Sequence, residues 1–230
     1  MGPKEFALRT GKPEKTIIAI LNGVSSITPE MAVQFENVTQ IPANFWMNHQ
    51  RSYDEYLARI KHKATIDEAV PWAKNFPVAS MIKKGWLPNA QSIQEKTMEM
   101  LSFFAFANHH GWEEYYFKQQ LKVNFRISLA NTNEPFAISA WLRKGEMQAA
   151  ELEASEYTEK KFKAALPELK TVMANHSSNF FAQLQSICLE AGVKVVYTPC
   201  ISKAPINGAT RWLNDTPLIQ LSGRYNRNDS

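Results

Sequence analysis

The sequence predicts a mainly α protein with a small α+β part towards its C-terminal end, and three observations carry this. Apolar residues recur at three- and four-residue spacing through most of the chain. Helix punctuation at Gly11, Pro13, Thr28-Pro29, Pro42 and Ser92 divides that pattern into short segments. β-Branched and aromatic runs gather only after Gly192. The 230 residues suffice for one large or two small domains, and two is the expectation. With 44% hydrophobic and 21% charged residues the composition is that of a folding chain, which excludes disordered and collagen-like classes. The 26 basic and 22 acidic side chains leave a net charge of +4, compatible with an anionic partner but too small to specify one.

The first helix runs from Lys4 to Thr10 with Phe6 and Ala7 on one side and ends at Gly11. Pro13 opens a second that ends at Asn22-Gly23, where Ile17, Ile20 and Leu21 face a core and Glu14, Lys15, Ile18, Ala19 and Asn22 turn outward. Thr28 caps a third helix with Met31, Phe35 and Val38 as its apolar stripe. Pro42 opens a fourth holding Phe45 and Trp46, and a longer helix spans Trp46 to Lys63 with Tyr53, Tyr56, Leu57 and Ile60 at helical spacing. Pro71, Pro77 and Pro88 mark 64–91 as a spacer. Helices follow from Ser92 to Phe106, Trp112 to Leu121 and Glu134 to Leu142, then Glu159 to Ala165, Pro167 to Ala174 and Asn179 to Glu190. After Gly192, Val193 to Tyr197 reads as a strand, and Ala209–Leu213 and Pro217–Leu221 flank Asn214-Asp215-Thr216 as a hairpin. The expected organisation is a helix–turn–helix domain over 1–63, a helical middle region over 64–157 and a small module over 158–230.

The helix–turn–helix is the strongest local signal. Two short helices across a glycine turn can lay the second in a DNA major groove, its N-terminal residues at base edges. Glu14 can accept from cytosine, Lys15 can reach guanine or phosphate, and Thr16 or Asn22 can bind phosphate, with Lys12, Ile18 and Ala19 on the same side. Spacing alone is equally compatible with an ordinary αα-hairpin.

The residues go further than spacing. Glu5-Phe6-Ala7-Leu8-Arg9-Thr10-Gly11, Thr16-Ile17, Ile20-Leu21-Asn22-Gly23, Ile27-Thr28-Pro29-Glu30-Met31-Ala32 and Ile41-Pro42-Ala43-Asn44-Phe45-Trp46 resemble the Xre/Cro-type DNA-binding domain of HigA-type antitoxins. The resemblance continues through Tyr53-Asp54-Glu55-Tyr56-Leu57-Ala58-Arg59, although the family pattern has a further helix before Glu5. A second resemblance, to an ImmA/IrrE-type metallopeptidase domain, rests on Trp141-Leu142-Arg143-Lys144-Gly145-Glu146, Gly192-Val193-Lys194-Val195-Val196, Gly208 to Leu213 and Pro217 to Ser222. In that family the hairpin leads into a His-Glu-x-x-His helix that binds zinc and activates water. This sequence holds no such motif and reaches Asn228-Asp229-Ser230 before it, so the expected module is incomplete and no peptidase activity is expected.

Other chemistry finds little footing in the sequence. His109 and His110 precede Glu113 and Glu114 by four residues, but Gly111 between them weakens a helix and two pairs do not make a tetrahedral site. His49, His62 and His176 are isolated, and Cys188 and Cys200 have no neighbouring histidine to activate them. No metal or cofactor is expected. The aromatic cluster Phe103-Phe104, Phe106, Trp112 and Tyr115-Tyr116-Phe117 reads as core packing or an oligomer interface. The resemblances imply an antitoxin-type transcriptional regulator that binds operator DNA as a homodimer and sequesters a toxin protein. A remnant of a zinc-peptidase-linked regulator and a protein-interaction scaffold without DNA binding are the alternatives. No stretch of about 18 apolar residues suggests a membrane span, and the expected location is cytoplasmic.

Overall fold

The computed structural model describes residues 1–119, 134–175, 177–204 and 206–223. Among them are ten α-helices, a π-helical turn and three strands, so the chain is mainly helical with a small C-terminal sheet. Leu121 and His176 lie outside the described residues, as does the segment Asn228-Asp229-Ser230. None of the described helices is long and apolar enough to cross a membrane. The chain divides into two compact units, Met1–Thr65 and Ile66–Ser230, where the sequence suggested three regions.

The first unit holds α1 (Pro3–Thr10), α2 (Glu14–Leu21), α3 (Pro29–Thr39) and the start of α4 (Ala43–Ala73). Gly11, at φ 65°, ends α1 in the left-handed conformation, and the Lys12 N–H donates back to the Ala7 carbonyl at 3.0 Å. Thr28 caps α3 by accepting from the Met31 N–H at 3.2 Å. Ala7, Ile17 and Phe35 are buried, with Phe6, Ile20, Ile27, Met31 and Trp46 packed around them. Leu21, expected in this core, is 67% exposed: it lies in the last turn of an eight-residue helix, and Ile27 from the following loop completes the cluster instead.

Helix α4 corrects the expected spacer. It continues beyond Lys63 to Ala73 with Pro71 inside it, because Ile66, Ala69, Trp72 and Ala73 repeat the helical spacing and are all buried. Pro71 costs one backbone hydrogen bond near the helix end, and the Asn75 side chain caps the exit by donating to the Pro71 carbonyl at 3.0 Å.

The second unit contains α5 (Val78–Lys83), α6 (Ile93–Phe104), α7 (His109–Glu113), a π-helical turn (Glu114–Gln119), α8 (Pro135–Ala150), α9 (Glu159–Asn175) and α10 (Phe180–Glu190), with β1 (Lys194–Tyr197), β2 (Gly208–Leu213) and β3 (Thr216–Leu221). Pro167, expected to separate two helices, lies inside α9. A reciprocal cap opens α6: Ser92 Oγ accepts from the Glu95 N–H at 3.1 Å while the Glu95 carboxylate accepts from the Ser92 N–H at 2.9 Å. Trp72, Phe76, Phe104, Trp112 and Tyr116 form an aromatic core, Phe136 stacking on Trp112 at 4.9 Å. Ile201, Ala204 and Ile206 enter the same core, which merges the middle region with the C-terminal segment.

The sheet has the order β1-β3-β2, β3 running parallel to β1 and antiparallel to β2. Asn214 turns the β2–β3 hairpin at φ 54°. Both faces are covered. On one, Val196 and Leu218 pack on Ala149 of α8. On the other, Val195 and Ile219 pack with Leu169 of α9 and Cys188 of α10. The first face also carries buried polar groups. The Gln220 amide donates to the Trp141 carbonyl at 2.7 Å and to Thr198 Oγ at 3.0 Å. Arg211, 5% exposed, donates to Glu146 at 2.6 Å and to the Leu142 carbonyl at 2.5 Å. Gly145 lets α8 approach this closely, since a Cβ there would overlap the Gln220 carboxamide.

Gly145→Ala is therefore expected to destabilise the protein by about 1–3 kcal/mol in denaturant unfolding. Combined with Gln220→Ala it should cost less than the sum of the two single losses, because both changes act on one contact.

Candidate nucleic-acid interface

The helix–turn–helix geometry follows from three residues. Gly11 reverses the chain, Pro13 starts α2 in extended backbone, and Ile17, 2% exposed, pins α2 to the core. With Ile17 inward and Ile20 half-buried, the remaining positions of α2 turn to the surface. Glu14, Lys15, Ile18 and Asn22 are exposed, and Thr16 and Ala19 are half-buried beside them. Pro13, at the N-cap of α2, makes no side-chain cap hydrogen bond. The structure thus brings five of the seven expected residues to one helix and Asn22 to its C-cap, and Lys15 has no ion-pair partner among the described residues.

Lys12 has another role. Its ammonium bonds the Glu30 carboxylate at 2.8 Å, and its side chain is only 18% exposed. The pair ties the α1–α2 turn to the start of α3, so Lys12 orients the hairpin. The hydrogen bond and charge of Lys12 hold the Glu30 carboxyl below the usual carboxylate range. Sequence spacing gave no sign of this pair, because Lys12 and Glu30 belong to different elements. Two further contacts set the loop after α2. The Ile27 N–H donates to Gln50 Oε1 at 2.9 Å, and Tyr53 lies against Gly23, where φ is 69°.

Along α4, Tyr53, Tyr56, Leu57 and Ile60 are each 43–60% exposed and recur at three- and four-residue spacing. They form an apolar stripe in which Tyr53 touches the Gly23 loop, while Tyr56, Leu57 and Ile60 join none of the buried clusters among the described residues.

The other candidate groups fall in the second unit, His49 and His62 excepted. The His49 ring packs on Phe45 at 4.3 Å and His62 is exposed. Helix does persist through Gly111, yet the carboxylate facing His110 is Glu68 of α4, with Nε2 and Oε1 3.5 Å apart. Cys188 is a buried free thiol whose pKa is raised by burial, and Cys200 is a half-buried free thiol. Phe103, Phe104, Trp112 and Tyr116 are core residues. No family model, curated protein or solved structure matches the chain.

Glu30 is expected to titrate below the ordinary glutamate range when followed by NMR, and Lys12→Ala should return it to that range. Since its folded pKa is depressed, the pair's contribution to stability is present above the unfolded pKa and is lost as pH falls through the folded one. High salt should shrink it.

Proposed function

We propose that the chain is a sequence-specific transcriptional regulator of the antitoxin type that binds operator DNA as a homodimer. The observation that carries this reading is the outward face of α2. It presents Glu14, Lys15 and Ile18 from a short helix, and Asn22 from its C-cap, anchored by the buried Ile17 behind a glycine turn, a form suited to entering a major groove. Lys15, unpaired among the described residues, supplies a cation for guanine or phosphate, and the half-buried Thr16 offers a hydroxyl at the same end. The apolar stripe on α4 favours the dimer: four exposed side chains at helical spacing make a surface that a second copy can cover. A toxin protein is the further partner that the antitoxin resemblance implies. The C-terminal unit takes no catalytic part in this reading, and its ImmA/IrrE likeness is that of a peptidase-related module serving a regulator.

The test is binding of the full chain to an array of promoter fragments across a salt series. Affinity should fall linearly with the logarithm of salt concentration as phosphate counterions are released. Lys15→Glu should cost roughly 1–3 kcal/mol on the preferred sequence if it contacts a base. If the wild type retains no fragment at low salt, DNA binding is refuted and the interaction-scaffold reading takes its place.

A further inference from the structure

In the second unit, α7 places two adjacent histidines opposite a carboxylate from a distant part of the chain. The Asn108 side chain caps α7 by accepting from the Gly111 N–H at 3.1 Å, which fixes the backbone of His109 and His110 at the start of the helix. Gly111 packs directly over the Phe106 ring. Glu68 comes from the last turns of α4, a stretch anchored by the buried Ile66 and Ala69, and is itself exposed. The three side chains each offer a ligand atom, and these atoms lie within 4.8 Å of one another.

Two details distinguish this group from an ordinary surface pair. The 3.5 Å between His110 Nε2 and Glu68 Oε1 is long for a hydrogen bond. It is close to the separation of about 3.3 Å between two ligands bound tetrahedrally at about 2.0–2.1 Å from one ion. His109 Nδ1, moreover, is withdrawn from solvent and has no hydrogen-bond partner among the described residues. A buried polar atom left in this state calls for a water or an ion.

We propose that Glu68, His109 and His110 form a site for one divalent transition-metal ion, zinc by its donor chemistry, with the fourth position open to water. Two imidazoles and one carboxylate suit zinc and its first-row neighbours, whereas magnesium demands an octahedral oxygen set. Side-chain exposures of 66% for His110 and 64% for Glu68 provide the entry path. The bound ion would clamp α4 to α7. The site is separate from the helix–turn–helix and stands or falls independently of DNA binding.

The experiment uses the full chain, purified without a histidine tag, stripped with chelator and then equilibrated with Zn2+ or, separately, Mg2+. Bound metal is counted by elemental analysis, and zinc affinity is measured by competition with a chromogenic indicator. The expected result is one zinc per chain, no retained magnesium, and an intense visible absorption when Co2+ occupies the four-coordinate site. Glu68→Ala and His110→Ala, both at exposed positions, should each weaken zinc at least tenfold while leaving the metal-free melting temperature unchanged. His62→Ala should leave zinc affinity as it was. Failure to retain zinc overturns the proposal, and so does zinc binding of equal affinity in the wild type and both variants.

Discussion

The second unit is organised around a charge that must be neutralised where water cannot reach it. Arg211, on the edge strand β2, is 5% exposed, and its guanidinium meets Glu146 and the Leu142 carbonyl of α8. Glu146 in turn bonds Arg143, whose Nε donates to the Phe103 carbonyl at 2.9 Å. Two guanidiniums thus share one carboxylate, and a line of polar contacts joins β2 to α8 and α6. An unpaired charge at this depth would cost several kcal/mol, so the sheet can dock on α8 only in the register that completes the pair. Tyr116 lies in the same region, its phenol pushed well up by burial and by the Glu146 carboxylate, which keeps it neutral.

This constraint explains why a hairpin rich in large apolar residues does not stand alone. A two-stranded ribbon is marginal in water. Here β3 is the central strand, and its alternate residues feed two cores, Leu218 with Ala149 of α8 and Ile219 with the α9–α10 cluster. Gln220 occupies the α8 face with its amide donors satisfied by the Trp141 carbonyl and Thr198 Oγ, while its buried Oε1 has no hydrogen-bond partner among the described residues. Trp141–Glu146 and the hairpin are far apart in sequence and face each other across this interface. The first unit is built on simpler terms: caps, a glycine turn and three buried side chains expose one face of α2.

What could be read in advance was local. Gly11, Pro13 and Thr28 announce α1 to α3 because termination and capping depend on a few adjacent residues. Asn214-Asp215 between two β-prone runs announces the hairpin for the same reason. Pro71 misleads because its cost is local while its compensation, burial of Trp72 and Ala73, comes from segments later in the chain. Lys12 is legible as a cation but not as the partner of Glu30. His109 and His110 are legible as ligands, yet their spacing points to Glu113 and Glu114, and only the fold supplies Glu68. Likewise nothing local reveals that Arg211 belongs inside.

The account of the second unit turns on the Glu146–Arg211 pair, and a double-mutant cycle in denaturant unfolding tests it directly. Glu146→Met should cost about 3–5 kcal/mol by leaving the buried Arg211 guanidinium without a carboxylate, and Arg211→Met should cost less, because Glu146 keeps its bond to Arg143. The double variant should cost far less than their sum, because an apolar pair can fill the same space. Additive losses, or single losses near zero, would show that the sheet docks on α8 without this pair and would contradict the account.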